Sequence, residues 1–113
     1  MVENRDFAEC IAACTACADA CNQCFAACLQ ERDVGAMARC IALDADCAAA
    51  CQFAAAAMQR RSTLSATICA MCAEVCRACG EECGQHEHDH CQRCAKACRE
   101  CAEACRRMGA AGS

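Results

Sequence analysis

Cysteine recurs along this chain at intervals of three and four residues, the spacing that places side chains on one face of an α-helix. Between Glu9 and Leu29 the intervals are 4, 3, 4, 3 and 4, a heptad rhythm with thiols in the positions that leucine usually holds. The rhythm returns in two later segments and, more sparsely, in a third. The nineteen cysteines therefore fall on four stripes: Cys10, Cys14, Cys17, Cys21, Cys24 and Cys28; Cys40, Cys47 and Cys51; Cys69, Cys72, Cys76, Cys79 and Cys83; and Cys91, Cys94, Cys98, Cys101 and Cys105.

The stripes predict four helices, at about residues 5–31, 34–59, 63–83 and 90–108, with residues 109–113 as a flexible tail. The chain has no proline that would interrupt them. Four helices of comparable length joined by short connections favour an antiparallel up-down-up-down bundle. The sequence thus predicts an all-α protein, a single four-helix-bundle domain over the whole chain of 113 residues, with a cysteine-lined core.

Antiparallel alternation predicts that the two ends of the bundle differ chemically. The polar connection between helices 3 and 4, with the sequence GQHEHDH, brings His86, His88 and His90 to the end where helix 2 begins. Projecting the helix 1 rhythm from Cys40 places Asp44 in an inward position of helix 2. Two interpretations stay open: a solvated aspartate with histidines on an exposed loop, or oxygen and nitrogen ligands that receive metal beside the thiols.

The composition leaves such a core short of large side chains. The apolar fraction is 58%, but leucine, isoleucine, valine and phenylalanine occur only three times each. Because large apolar residues normally stabilise helical bundles, we expect something other than side chains to fill this interior. A net charge of −4 with scattered Lys and Arg gives no basic stripe for nucleic acid and no polybasic patch for a membrane.

The amino-terminal sequence MVENRDFAEC has no cationic start followed by an apolar run, so it does not match a secretory signal. No stretch approaches the roughly 18 unbroken apolar residues of a membrane span. We therefore expect a cytoplasmic protein. Cytosolic thiols are kept reduced, and abundant cysteine in that compartment indicates metal or redox chemistry more than a disulfide framework.

The cysteine spacing favours a metal ion of low coordination number. Pairs of the form C-x3-C occur eight times, and each pair places two sulfurs on successive turns of one helix. Thiolates select Cu(I), zinc and iron–sulfur clusters. Four thiolates around a zinc ion keep two negative charges, whereas about one Cu(I) per thiolate neutralises a whole stripe in a dry core. Cu(I) is favoured for this reason, and zinc in clusters that share thiolates stays open.

Other cysteine chemistries match less well, and we expect a binding protein rather than an enzyme. The C-x3-C-x2-C pattern of radical cluster enzymes appears at Cys10, Cys14 and Cys17, but it repeats along the stripe and has little specificity. There is no C-x-x-C-H for covalent haem and no βαβ pattern for a thioredoxin-like site. The alternatives to a copper store are a zinc or cadmium thiolate sequestrant and a thiol redox buffer, although i,i+3 and i,i+4 pairs meet disulfide geometry poorly.

Four cysteine helices in one short, proline-free chain resemble the copper storage proteins, bacterial four-helix bundles lined with C-x3-C and C-x2-C series. The likeness covers residues 8 to 108. It implies storage of many Cu(I) ions per protomer and assembly into homotetramers, and the lack of a leader resembles the cytosolic branch of the family. In cytosolic members a histidine and an aspartate near one end also take part in binding, which implies such roles for Asp44 and the His86 to His90 segment.

The sequence therefore predicts a cytosolic bacterial Cu(I) store that holds roughly one ion per cysteine. The predicted ligands are all nineteen cysteines together with Asp44, His86, His88 and His90. A copper donor or acceptor protein is the expected macromolecular partner, with no role for nucleic acid or a membrane.

Overall fold

The computed structural model describes residues 4–111, with side chains described from 7 to 110. The helices are α1 (Asn4–Cys28), α2 (Ala38–Gln59), α3 (Ser65–Gly84) and α4 (Asp89–Ala111), and a 3-10 helix (Val34–Met37) leads into α2. Together they form an elongated antiparallel bundle of 48 × 19 × 18 Å. The prediction of an all-α four-helix bundle is confirmed.

Some helix ends differ from the predicted ones. The predicted tail from residue 109 is helical as far as Ala111, because Gly109 packs directly against α3 and carries α4 onward, and residues 112–113 lie outside the described range. α1 ends at Cys28 rather than at residue 31, where hydrogen-bonded turns replace the last predicted helical turn. The carboxylate of Asp33 then accepts a hydrogen bond from the backbone N–H of Ala36, which starts the 3-10 helix ahead of α2.

Small residues let α3 and α4 approach closely. A Cβ atom added to Gly80 would lie 3.2 Å from the Cβ of Cys98, and one added to Gly109 would lie 3.1 Å from the Cβ of Ala70. Both separations are shorter than ordinary van der Waals contact, so the backbones of the two helices meet without intervening side chains. This packing brings the cysteine stripes of α3 and α4 side by side.

The helices follow one another around the bundle axis, so that each packs against two neighbours. Polar contacts join two of these pairs at the same end of the bundle. Arg39 of α2 forms an ion pair with Glu82 of α3 at 3.3 Å. His90 of α4 donates a hydrogen bond at 2.8 Å to Glu31, which follows α1. We call this end, where His86, His88 and His90 lie, the histidine end.

Exposed apolar side chains concentrate where α2 and α3 meet. Arg39 and Glu82 each directly precede a buried cysteine, so their ion pair shows that the positions before the cysteine stripes line the α2–α3 boundary. Phe53 and Met71 hold the same position one residue before a buried stripe residue, and Leu64 directly precedes α3; their exposures are 48%, 39% and 61%. We call these three residues the α2–α3 apolar face.

The segment Val34–Gln59 is long and apolar enough, by length and composition alone, to cross a membrane, with a mean hydropathy of 1.4. Core helices of bundles pass the same test, and 50% of the apolar window is buried inside the protein. Its hydropathy comes mainly from alanine and cysteine, and the fully buried Asp44 lies within it. The composition of this segment is accounted for by its place in the bundle core.

Candidate metal centre

The nineteen cysteines form one buried column of thiols along the bundle axis. None of them exceeds 1% exposure, and none is paired in a disulfide. Sulfur–sulfur contacts of 3.2–4.0 Å run from Cys10 and Cys105 at one end to Cys28 and Cys91 at the histidine end. The column forms because all four helices turn the same stripe inward, as the spacing of three and four residues predicts.

Thiols from different helices meet in sets of four whose sulfur atoms all lie within 4.8 Å of one another. Successive sets share members: Cys51 and Cys101 belong to two of them, and Cys17 and Cys21 link these to further sets. The sets include Cys14 with Cys51, Cys72 and Cys101; Cys17 with Cys51, Cys76 and Cys101; Cys17 with Cys21, Cys47 and Cys98; Cys21 with Cys79, Cys94 and Cys98; and Cys24 with Cys28, Cys40 and Cys91.

The sulfur separations suit metal coordination. Two thiolates about 2.3 Å from one ion, at angles of about 109–120°, hold their sulfurs about 3.8–4.0 Å apart. Contacts such as Cys14 to Cys105, at 3.5 Å, and Cys17 to Cys21, at 4.0 Å, are close to that separation. Because neighbouring sets share sulfurs, one thiolate can bridge two ions, and the column can hold a continuous series of ions.

Burial raises the pKa of two thiols at the histidine end, Cys28 and Cys91. The pKa of Cys28 is raised to about 11, and the pKa of Cys91 is raised as well, in both cases chiefly because burial removes the thiolate from water. At neutral pH these groups are therefore neutral thiols. A metal cation that binds them must displace their protons, so its uptake is coupled to proton release.

Asp44 lies inside the thiol column, in the inward position that the heptad projection predicts. Its side chain is fully buried, and Oδ1 accepts hydrogen bonds of 3.3 Å from the thiols of Cys79, Cys83 and Cys94. Burial, with a smaller contribution from Cys94, raises the pKa of Asp44 to about 9. At neutral pH the group is a carboxylic acid surrounded by thiols, so the metal-free column carries no charge at this point.

His90 is the histidine that the structure brings to the thiols. Its Nδ1 lies 3.5 Å from the sulfur atoms of Cys24 and Cys91 and 3.9 Å from that of Cys28. On the opposite side of the ring, Nε2 donates a hydrogen bond of 2.8 Å to the carboxylate of Glu31, and this bond lowers the pKa of Glu31. Since the carboxylate accepts the Nε2 proton, the lone pair of Nδ1 faces the thiols.

The other two histidines have carboxylate partners at the rim of the histidine end. His86 pairs with Glu82 through Nε2 at 2.8 Å, and Glu82 also binds Arg39. His88 stacks on His90 with ring centroids 5.3 Å apart. Within the described residues, the imidazole contacts to thiols are those of His90.

Sequence analysis does not identify Glu31 and Glu82 as parts of this end. Glu31 follows the last cysteine of α1 and Glu82 lies beside the stripe of α3, where a carboxylate is usually solvated. The structure leaves their side chains only 29% and 13% exposed, against His90 and His86 respectively. No spacing signal along the chain marks these contacts, because each depends on how two segments approach.

The opposite end of the column is closed by thioether side chains. Met58 of α2 and Met108 of α4 are 2% and 5% exposed, and Ser65 at the start of α3 is also buried. The hydroxyl of Ser65 donates to the backbone carbonyl of Ser62, so it does not point a free donor into the column. Non-thiol oxygen and nitrogen ligands therefore concentrate at the histidine end of the described structure.

Comparison with known proteins agrees with this geometry. A sequence model described as copper storage protein matches residues 3–110. The chain is 54% identical to a Cu(I)-bound copper storage protein, BsCsp3, over 88% of this chain and 94% of that one, with a TM-score of 0.85. For the metal-free copper storage protein 3 of Bacillus subtilis the identity is 52%, the coverage 89% and 96%, and the TM-score 0.83.

A third similar structure is the copper storage protein Ccsp of Streptomyces lividans loaded with 10 copper equivalents. It is 41% identical to this chain, over 96% of this chain and 87% of that one, with a TM-score of 0.93. A search of proteins with curated descriptions finds no match.

The family match spans nearly the whole chain, and the fold is that of copper-loaded bundles. The predicted copper storage function is thereby confirmed, and the zinc or cadmium sequestrant and the redox buffer are not favoured. On the evidence of its sequence, its bundle and its thiol column, the chain belongs to the copper storage protein family.

Proposed function

We propose that this protein is a cytosolic store that holds about one Cu(I) ion per cysteine, nineteen cysteines in all. The sets of four thiols that share members support this capacity, because an ion in one set has a bridging sulfur in common with the next. Related proteins described as cytosolic copper storage proteins support the location. A copper donor or acceptor protein would deliver or remove the ions, since the column itself offers binding but no substrate chemistry.

The choice of Cu(I) over a divalent ion rests on charge. A thiol that binds one Cu(I) exchanges its proton for a monovalent cation, so the core gains no net charge on loading. Zinc bound by four thiolates leaves two negative charges per ion, which the dry interior penalises. A column of nineteen thiols with no buried cation to balance it in the described residues therefore favours Cu(I).

Copper is taken up at the histidine end. There Nδ1 of His90 offers a neutral donor next to Cys24 and Cys91, where the raised pKa of Cys91 disfavours a free thiolate. Asp44 lies further inside and can give up its proton as copper binds the thiols around it. We place His86 and His88 at the rim as additional imidazole donors during uptake.

Assembly into a homotetramer accounts for the α2–α3 apolar face. Phe53, Leu64 and Met71 leave large apolar surfaces in contact with water in the isolated chain, which an isologous contact between two copies would bury. Two such dimers related by a second axis make a tetramer with closed symmetry. The face lies on the side of the bundle, so its burial leaves the histidine end accessible.

The copper capacity is tested by anaerobic titration of the fully reduced protein with Cu(I), followed by thiolate-to-copper charge-transfer absorbance against a competing chelator. We expect saturation near one Cu(I) per cysteine, and weak uptake in a parallel titration with Zn(II), because only the monovalent ion neutralises the column. Saturation after only a few ions, or bound zinc that resists displacement by Cu(I), would contradict the proposed store.

The role of His90 is tested by the rate of Cu(I) transfer from a chelator to the protein. We expect His90→Ala to slow this transfer by about tenfold, because the neutral donor beside the protonated thiols is lost, while the final capacity stays close to that of the parent. His86→Ala is the matched comparison: it removes a rim imidazole that pairs with Glu82, and it should slow the transfer less than His90→Ala does. Equal rates for the His90 variant and the parent would rule out this role.

The protonation of Asp44 is tested by the pH dependence of stability of the metal-free protein. An unfolded aspartate releases its proton near pH 4, whereas the folded protein retains it up to about pH 9. The stabilisation by the neutral acid is therefore complete below the unfolded pKa and is lost as the pH rises through the folded pKa. Between about pH 5 and pH 7.5 we expect the free energy of unfolding to fall by up to about 1.4 kcal/mol per pH unit.

Anaerobic urea unfolding measures this slope. Asp44→Asn keeps the shape of the side chain without its titration, so its unfolding free energy should vary much less over the same pH range. Asp46→Asn changes an exposed carboxylate on the same helix and should retain the parent slope. If the Asp44 variant and the parent show the same slope, Asp44 is not the group that holds the proton.

Assembly is tested by size-exclusion chromatography with light scattering. We expect the parent to have four times the chain mass, and Phe53→Glu or Leu64→Glu to lower it to that of a dimer or monomer, because a buried charge opposes the contact. Gln52→Glu, which adds the same charge at an exposed neighbouring position, should leave the mass unchanged. A monomeric parent, or a tetramer that survives both substitutions, would contradict the proposed interface.

A further inference from the structure

Glu31, His88 and His90 form a second cluster of metal-ligating atoms outside the thiol column. Nε2 of His90 lies 2.8 Å, and Nδ1 of His88 lies 3.4 Å, from the same oxygen of the Glu31 carboxylate, Oε2. The two imidazole rings stack almost parallel, with an angle of 4° between their planes. Two segments distant in sequence thus bring two imidazole nitrogens to the same carboxylate oxygen.

The separations between these atoms fit ligands of a single ion. Two ligand atoms about 2.1 Å from a metal, at angles of about 90–109°, are about 3.0–3.4 Å apart. The distance from His88 to Glu31 Oε2, 3.4 Å, lies at the upper end of this range, and that from His90, 2.8 Å, lies just below its lower end. Because the lone pair of an imidazole nitrogen lies in the ring plane and the two rings are stacked in parallel, one ring must rotate out of the stack for both nitrogens to reach one ion.

The kind of ligand indicates a divalent ion. Two imidazoles and one carboxylate, with no sulfur, suit borderline cations such as Zn²⁺ better than Cu(I), which selects thiolates. The cluster is also reachable from solvent, since the side chains of His88, Glu31 and His90 are 43%, 29% and 13% exposed. This cluster therefore differs from the buried column in two ways. Its ligand atoms are nitrogen and oxygen rather than sulfur, and it is accessible to solvent.

We propose that Glu31, His88 and His90 bind one divalent transition-metal ion, with Zn²⁺ as its representative, on the outer side of the His90 ring. The ion takes the place of the proton that Nε2 donates to Glu31. The neutral ring then carries its single proton on Nδ1 and donates it to the sulfur of Cys24 or Cys91, each 3.5 Å away.

This exchange links the outer ion to copper uptake. A neutral His90 can ligate the outer ion through Nε2 or a Cu(I) ion through Nδ1, but not both at once. His90 is thus the one side chain common to the two kinds of site. A divalent ion bound outside withdraws a nitrogen donor from the thiols without occupying any sulfur.

The experiment adds Zn²⁺ to protein already loaded with Cu(I), so that the thiols are occupied, and measures zinc and copper after dialysis against a weak chelator. We expect one Zn²⁺ per chain with no loss of copper. Glu31→Gln and His88→Ala should weaken zinc binding by at least about tenfold, because each removes a direct ligand. His86→Ala, the matched control, removes an imidazole that has a carboxylate partner but no second imidazole, and should bind zinc as the parent does.

Absence of bound zinc in the loaded parent, or equal zinc binding in the parent and in both ligand variants, would overturn the proposal. Failure to load Cu(I) in the first step would instead contradict the proposed store. The outer site is then tested on the metal-free protein by the ¹⁵N chemical shifts of the imidazoles. Zinc at the outer site shifts Nδ1 of His88 and Nε2 of His90, whereas zinc held only by thiols leaves the His88 shift unchanged and excludes the site.

Discussion

The removal of nineteen thiols from water is the constraint on which the rest of this structure depends. A thiolate is costly in a dry core, and burial raises the pKa of Cys28 and that of Cys91, so these two groups are neutral thiols in the metal-free protein. Neutral thiols pack as small apolar groups, and with alanine they allow helices to approach closely, as α3 and α4 do at Gly80 and Gly109. The same groups become charged ligands only when a cation replaces their protons.

The cost of a buried charge also applies to Asp44 and His90, which contact the thiols through oxygen and nitrogen atoms. Asp44 is tolerated among thiols because it keeps its proton, and His90 because Glu31 accepts the proton of Nε2 and leaves a neutral donor facing inward. Asp44 can exchange its proton for a metal cation without a change in net charge, whereas His90 can offer the lone pair of Nδ1. Both residues lie toward the histidine end, whereas Met58 and Met108 close the other end, so the two ends of the column differ in their donor atoms.

The α2–α3 apolar face and the histidine end lie on different parts of the bundle surface. The α2–α3 apolar face includes Leu64, which lies next to the amino-terminal end of α3, whereas the histidine end lies at the carboxyl-terminal end of that helix. The contact between copies that we propose along this face would therefore leave His88 and Glu31 exposed to solvent. The outer site proposed for a divalent ion is located at this free end.

The sequence by itself determined the helices, their inward stripes and the choice of chemistry, because the spacing of Cys10 to Cys28 is a local property of one helix. It also determined the inward position of Asp44, since the same rhythm continues along α2. The sequence did not predict that α4 continues to Ala111, where Gly109 lies close to Ala70 of α3. Periodicity along one helix contains no information about such contacts.

Only the tertiary structure decided which of three equivalent histidines meets the thiols. His86, His88 and His90 alternate along one polar segment, and nothing in their spacing distinguishes them. The approach of α1 to α4 places Glu31 against His90, which turns Nδ1 toward Cys24, while Glu82 holds His86 at the rim. The physical reason is that hydrogen bonds between distant segments depend on the distance between helices, which the sequence pattern of a single helix does not specify.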